Sequence, residues 1–421
     1  MSQIVMTTIG SLGDIHPMIA IARELRRRGH KIVFATCREY QDKIEVLGFE
    51  FRRMRPDGDN GLDDPDELAR RGMDLKTGTE YVIRNWVVAN LRETYEDLLN
   101  VARDADLIIA GELVYAAQLV AEKLNKRWIL VVLQPTSLFS IYDPPVIPIF
   151  PFAQKISKSG SAINWGIIRL LKTVTGSWIK PVYQLRQELD LSQNVKHPLF
   201  DGKYSPYLTL AMFSSVLAKP QPDWAENIVV TGFCFYDGSH NIALTPELKQ
   251  FLDAGEPPIV FTLGSAAVNS PGDFYPESIK AAKILNRRAV LLIGKNPVPA
   301  ELTKDIIAVD YAPYSAIFPH ARAIVHQGGI GTTAQAMRAG CPTLIAPYSH
   351  DQPDNAARVE CLGTSRTITR QRYSAKLVAK ELKELLNNLE YQTQAMKIAR
   401  KIRTEDGVKF ACDAIIRQLK I

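Results

Sequence analysis

Short apolar runs alternate with amphipathic stretches along most of the chain. Gln3–Thr8 is a β-branched run, Gly10-Ser-Leu-Gly-Asp-Ile-His16 a tight loop, and Lys31–Thr36 a second run. Between them Met18, Ile19, Ala22 and Leu25 recur at helical spacing, Arg26–Arg28 fall in the last turn and Gly29 ends it. This predicts a β-loop-α-β unit whose helix opens at Pro17, in the first-turn position that proline prefers. Leu107–Ala110, a helix to Leu124 and Trp128–Leu133 repeat the unit, which is the pattern of a parallel sheet with crossover helices.

A second series follows residue 240: Ile259–Leu263, Ala289–Ile293, Ile306–Val309, Ala323–His326, Thr343–Ala346 and Ser365–Ile368, separated by helical patterns. Turn formers concentrate between the series, in Lys219-Pro-Gln-Pro-Asp-Trp224 and Phe235-Tyr-Asp-Gly-Ser-His240. The reading is α/β: two doubly wound, Rossmann-like domains, 1–218 and 246–421, joined by a linker at 219–245 and facing each other across a cleft. Ligands in such sheets sit beyond the carboxyl ends of the strands. The last helices, about 374–420, are Lys/Glu-rich, amphipathic and without evident chemistry, and are free to pack back on the first domain.

Composition narrows the picture. The chain has 421 residues, 46% hydrophobic and 23% charged, which excludes collagenous and disordered classes and suits two cores better than one. Lys+Arg 51 against Asp+Glu 45 leaves +6, too mild for a nucleic-acid partner but tolerant of anionic small molecules or an anionic membrane. Cys37, Cys234, Cys341, Cys361 and Cys412 form no metal-binding or disulfide spacing. With no signal-peptide pattern and no uncharged run long enough to span a bilayer, a cytoplasmic protein is expected, with peripheral contact on the inner face of a membrane left open. Asp57–Glu67 looks like a calcium loop, but Leu62 and Leu68 stand where an EF-hand needs Gly and Glu, so it reads as a solvated loop. In the apolar, basic stretch Pro135–Tyr183, Trp165, Ile168, Leu171, Val174 and Trp178 recur at helical spacing. That suits a core-facing helix, the wall of an apolar pocket, or a basic and aromatic surface resting on a membrane.

Ala323-Ile-Val-His-Gln-Gly-Gly-Ile-Gly-Thr-Thr-Ala-Gln-Ala336 carries the most chemistry. A strand ends at His326, three glycines follow within four residues, then two threonines and a helix. Glycine lets backbone approach a ligand closely, and the unpaired amides and dipole of a helix N-terminus favour an anion. Thr332 and Thr333 add hydroxyls, and His326 a donor, cationic if protonated. Gly329-x-Gly331-x-x-Ala334 with Asp351 twenty residues after Gly331 also fits a dinucleotide fingerprint, so an NAD(P)-dependent oxidoreductase is a second reading. A third is a non-catalytic nucleotide-sugar or lipid-binding protein.

His326-Gln-Gly-Gly-Ile-Gly-Thr-Thr, Ala339-Gly-Cys-Pro-Thr-Leu and Asp351-Gln352 together resemble the donor site of family 1 nucleotide-sugar-dependent glycosyltransferases. Gly10-Ser-Leu-Gly13-Asp14-Ile-His-Pro17 resembles their acceptor-side loop. The resemblance spans nearly the whole chain. It implies the GT-B fold, an inverting mechanism, a UDP-sugar co-substrate (glucose being the common choice), and no cofactor or obligatory metal. The acceptor it implies is hydrophobic and hydroxylated: a sterol, carotenoid, polyketide or phenolic. By the same resemblance His326, Gly328, Gly329, Gly331, Thr332 and Thr333 would hold the diphosphate, with Gly13 and Ser265 near it. Tyr311 and Ala312 would take the base, and Asp351 and Gln352 the sugar hydroxyls. The catalytic base falls at Asp14 by position in the motif; His16, oriented by Glu112, is the alternative. A plain helix cap is the third role open to Asp14.

Overall fold

Strands built almost wholly from Val, Ile, Leu and Ala need cover on both faces, which a parallel sheet between helical layers provides. The computed structural model describes residues 1–58, 65–147, 160–238 and 244–419 and contains two such sheets. The first joins β1 (Gln3–Thr8), β2 (Lys31–Thr36), β3 (Glu50–Arg53), β4 (Leu107–Gly111), β5 (Trp128–Val132), β6 (Leu208–Ala211) and β7 (Ile228–Val230), in the order β3-β2-β1-β4-β5-β6-β7. The second joins β8 (Ile259–Thr262), β9 (Ala289–Leu292), β10 (Ile306–Val309), β11 (Ala323–His326), β12 (Thr343–Ile345) and β13 (Ser365–Thr367), in the order β10-β9-β8-β11-β12-β13. Alternate residues serve opposite layers: Val5, Val33, Ile108 and Leu130 join one core cluster, Ile4, Met6, Ile32 and Ile109 the other.

Strand order reverses between β1 and β4 in the first sheet and between β8 and β11 in the second. Crevices open at such switch points because the crossovers leave in opposite directions. The loops there are Gly10–Asp14 and Gly111-Glu112 in one domain, Gly264-Ser265 and His326–Gly331 in the other. The two glycine-bearing motifs therefore occupy corresponding places in their sheets.

Three features differ from the sequence reading. The first helix spans Leu12–Arg27, with Pro17 inside it. Ser11 starts it by a capping box with Asp14, an arrangement that satisfies the terminal amides one turn ahead of the proline. β7, paired with β6, lies inside the stretch read as linker. The helix Ser161–Thr175 turns Asn164, Leu171 and Thr175 inward, leaving Trp165 and Val174 each 56% exposed. The buried stripe is thus offset from the one that apolarity alone suggests, because Asn164 donates to the Ile141 carbonyl at 2.8 Å. Residues 148–159 of the apolar stretch, 59–64 of the acidic loop and 239–243 of the linker, with His240, lie outside the described residues. Asp57 itself is bound to the Arg38 amide and the Arg53 guanidinium.

The last helix, Gly407–Leu419, packs against the first. Arg28 pairs with Asp413 at 2.5 Å and Arg127 donates to the Gln418 carbonyl at 3.1 Å, while Cys412 and Ile415 enter the core around Ile19. A Cβ on Gly407 would stand 2.5 Å from the Phe233 carbonyl oxygen and 2.7 Å from that of Gly232. Backbone cannot yield as a side chain does, so Gly407→Ala is expected to cost about 1–3 kcal/mol. Gly166→Ala, with nothing within 4 Å, is expected to be neutral or stabilising by up to about 1 kcal/mol. Urea unfolding of both variants checks this, and equal midpoints would contradict the close approach.

Candidate functional site

β11 delivers His326, fully buried, to the switch point of the second sheet. Its Nδ1 accepts the Gly328 amide at 3.0 Å, so the neutral ring carries its proton on Nε2, which is buried without a partner. Burial pushes the imidazole pKa down to about 3. Of the two charge states that the sequence left open, burial favours the neutral one: His326 is an N–H donor without charge, since a charge at that depth would lack solvation. Gly328, at φ +93, turns the chain where a Cβ would press on Ile345 and on the Gln352 carbonyl. The helix Ile330–Ala339 then begins at Gly329 with no side-chain cap. Its first bonded amide is that of Thr333, to the Gly329 carbonyl at 3.0 Å, so the amides before it have no acceptor within the helix. Gly331 is exposed and a Cβ there would meet open space.

The two threonines separate. Thr332 Oγ1 lies beside Gly264, next to Ser265, and bonds with Tyr314. Thr333 instead lines an internal cavity with Met337, Cys341 and Val359, its hydroxyl unpaired. Tyr314 is engaged by Thr262 at 2.9 Å and stacked on Phe318, and Ala312 is buried. Tyr311 stands 61% exposed, with a ring face available for stacking.

In the loop before the helix Gln352–Cys361, Gln352 Oε1 accepts the amides of Tyr348 and Ser349 at 2.8 and 3.2 Å. Its NH2 is what remains to face a ligand. Asp351 accepts from Asn355 Nδ2 at 2.6 Å, and the same amide reaches the Gly328 carbonyl at 2.9 Å. Asn355 thus ties this loop to the cradle; its only sequence signal was a place one helical turn after Asp351. Burial, with the charges of Asp14 and Glu112 adding to it, pushes the Asp351 pKa up to about 7.

On the facing domain, Asp14 Oδ2 accepts the Ser11 amide at 2.7 Å and the Ser11 hydroxyl at 3.3 Å. Gly10, at φ +134, leaves room where a Cβ would overlap the carboxylate. Asp14 is therefore the N3 partner in the Ser11 capping box, and not the cap of a helix opened at Pro17. Burial, opposed by the Ser11 bonds and reinforced by Glu112, also lifts its pKa to about 6. Gly13 donates to Ser11 Oγ at 3.2 Å. His16 lies against the Tyr236 ring at 5.0 Å with Nε2 unpaired, and burial lowers its pKa to about 4. Glu112 does not orient it, which corrects the expected pairing: Glu112 binds Gln134 and, at 3.6 Å, Lys203, a buried cation that needs a counter-charge. Glu112 and Asp14 line one cavity. Among the described residues no group of three His, Cys, Asp or Glu side chains is placed to hold a metal.

Residues 4–124 match the glycosyltransferase family 28 N-terminal domain, and 287–407 the C-terminal domain of erythromycin biosynthesis protein CIII-like proteins. The chain is 28% identical to O-mycaminosyltylonolide 6-deoxyallosyltransferase of Streptomyces fradiae, over 97% of this chain and 96% of that one. It is 27% identical to a sterol 3-beta-glucosyltransferase of Arabidopsis thaliana, over 99% of this chain but 66% of the plant protein. The solved glycotransferase of kitacinnamycin superposes with a TM-score of 0.74 at 20% identity, covering 99% of both chains. The spinosyn rhamnosyltransferase complexed with thymidine diphosphate gives 0.68 at 16%, covering 100% of both. The nicotinamide reading of Gly329–Ala334 gives way to these matches. In fold and in sequence alike, the chain belongs to the family 1 glycosyltransferases of the GT-B fold.

Proposed function

We propose that this glycosyltransferase moves a hexose, glucose, from a UDP-sugar to a hydroxyl of a lipophilic acceptor of sterol or polyketide type, with inversion. The observation that carries the reading is the uncapped N-terminus at Gly329–Thr332 beside the unpartnered Nε2–H of His326. A buried donor without an acceptor, as His326 Nε2–H is, is costly, and a diphosphate supplies acceptors and the charge that a helix dipole favours. These donors would take up the charge that grows on the leaving group. Asp14 would remove the acceptor's proton, its raised pKa making it a stronger base than a solvated aspartate. Asp351 and Gln352 offer one acceptor and one donor to sugar hydroxyls. Tyr311 would stack on the base, with the backbone of Ala312 beside it.

Peripheral contact with an anionic leaflet belongs to the same proposal. Between Asp143 and Glu188 the sequence holds Lys155, Lys158, Arg169, Lys172 and Lys180 and no acidic residue, besides Arg186, which is buried against Glu122. The helix Ser161–Thr175 exposes Ile163, Trp165, Leu170 and Val174, with the Arg169 guanidinium 5.3 Å from the Trp165 ring. Exposed apolar side chains edged by cations suit a lipid interface.

Titration calorimetry with UDP, TDP, GDP and NAD tests the donor site. UDP is expected to bind, and Gly331→Ala, which places a methyl in the cradle, to weaken it at least about tenfold, the worth of one lost charge-assisted hydrogen bond. NAD binding with no response to UDP or TDP would end the reading. Asp14→Asn is expected to lower kcat by roughly 10²–10⁴ while UDP affinity holds. In the wild type, kcat/KM should fall as pH drops through about 6, where Asp14 takes up its proton. If Asp14→Asn stays within about threefold, far short of a base's contribution, and His16→Ala abolishes turnover, the base is His16. Vesicles of phosphatidylcholine and phosphatidylserine should pellet the protein at low salt, less so at high salt or with Trp165→Ser and Leu170→Ser; absence of pelleting at low salt would refute the membrane contact.

A further inference from the structure

The loop that carries Asp351 and Gln352 is held from the opposite domain. Residues 72–79, which lie between β3 and β4 in the chain, reach across to the second sheet. Met73, 6% exposed, joins the hydrophobic cluster containing Phe261, Leu263 and Tyr348. Arg370 donates to the Met73 carbonyl and to the Ser270 carbonyl, both at 3.2 Å, with its guanidinium 4.0 Å from the Tyr348 ring. Ser349 Oγ donates to the Asp74 carbonyl at 2.9 Å. His350 Nδ1 meets Thr79 Oγ1 at 3.1 Å, and the ring also bonds with the Gly72 backbone. A Cβ on Gly78 would stand 2.8 Å from Ser349 Oγ. The crossing segment is itself stiffened, since Asp74 Oδ1 accepts the amides of Lys76 and Thr77 at 2.9 and 2.8 Å.

His350 adopts φ +58. A non-glycine residue in the left-handed region is uncommon, though His is among the types that enter it more readily, and side-chain contacts can hold it there. Here the anchors on Thr79 and Gly72 do so, and the next two residues are Asp351 and Gln352. We infer that Thr79 and His350 form an interdomain brace, through which the acceptor-side domain fixes the loop that grips the donor sugar. This rests on the reading of Asp351 and Gln352 as sugar ligands. The diphosphate cradle is built within its own domain and keeps the Asn355 tie when the brace is released, so release would misplace the sugar far more than it loosens the nucleotide. His350 and Thr79 are positioning residues in this scheme, acting through Asp351 and Gln352.

The test compares His350→Ala, Thr79→Val and His350→Asn, each first shown to keep the wild-type thermal midpoint. Asn tolerates a left-handed backbone and places an acceptor where Nδ1 stood. His350→Ala and Thr79→Val are expected to lose roughly tenfold to a hundredfold in kcat, as misplaced reacting atoms do. They should also discriminate less between UDP-glucose and UDP-galactose, while UDP binds within about twofold, a shift below half a kcal/mol. His350→Asn should restore most of the sugar preference. Unchanged kcat and sugar preference in the first two variants would overturn the brace, and so would a parallel loss of UDP affinity, which would make the contact merely structural. A wild type inert to both UDP and UDP-glucose would instead remove the donor-site reading itself, and the brace with it.

Discussion

Hydrogen-bond donors that the fold leaves without acceptors govern the rest of this structure. The amides ahead of Thr333 open the helix Ile330–Ala339 uncapped, and His326 Nε2–H is buried beside them. A polar group sealed from water without a partner costs a few kcal/mol, which applies to His326 Nε2–H, while the amides at the exposed Gly331 stay open to an incoming anion. The arrangement also explains why His326 is neutral. Its Nδ1 is tied to the Gly328 amide, and burial disfavours the imidazolium, so the ring adds a directed donor while the helix dipole supplies the positive field. Gly328 and Gly331 matter for different reasons, the first for a left-handed turn against Gln352, the second for the open space above the helix.

The facing carboxylates follow from the same geometry. Asp14 and Asp351 come from opposite domains, yet both feel the negative charge gathered in the crevice: the Asp14 and Glu112 charges push up Asp351, and the Glu112 charge pushes up Asp14. Burial is the larger cause for both. A crevice with low solvent access and converging negative charge holds its carboxyls near neutrality in pKa, where proton exchange with a hydroxyl is efficient. The 72–79 segment and the last helix cross the same divide from opposite sequence directions, so the two sheets are linked by chain on more than one side of the crevice.

Much of this was legible in the amino-acid order because it is local. β1, β2, β10 and β11 lie where short apolar runs place them, and the His326–Thr333 loop announces itself by glycines and hydroxyls at a strand-to-helix junction. What was not legible depends on partners far away in sequence. Pro17 looked like a helix opener because the Ser11–Asp14 cap competes for that role only once the chain turns at Gly10. Trp165 and Val174 could be read as core-facing, as pocket wall or as surface, because the stripe that is buried includes Asn164, whose partner is the Ile141 carbonyl. The charge state of His326 stayed open because depth of burial has no sequence signature, and Asn355 and Thr79 belong to no motif that would single them out. Glu112 was paired in expectation with His16, whereas buried Lys203 claims it.

The most direct measurement is a crystal structure with a nucleoside diphosphate bound. The account predicts the β-phosphate within hydrogen-bond distance of the amides at 330–332 and of His326 Nε2, with Asp14 across the crevice from it. Phosphates bound elsewhere, with His326 Nε2 still unpaired, would contradict it.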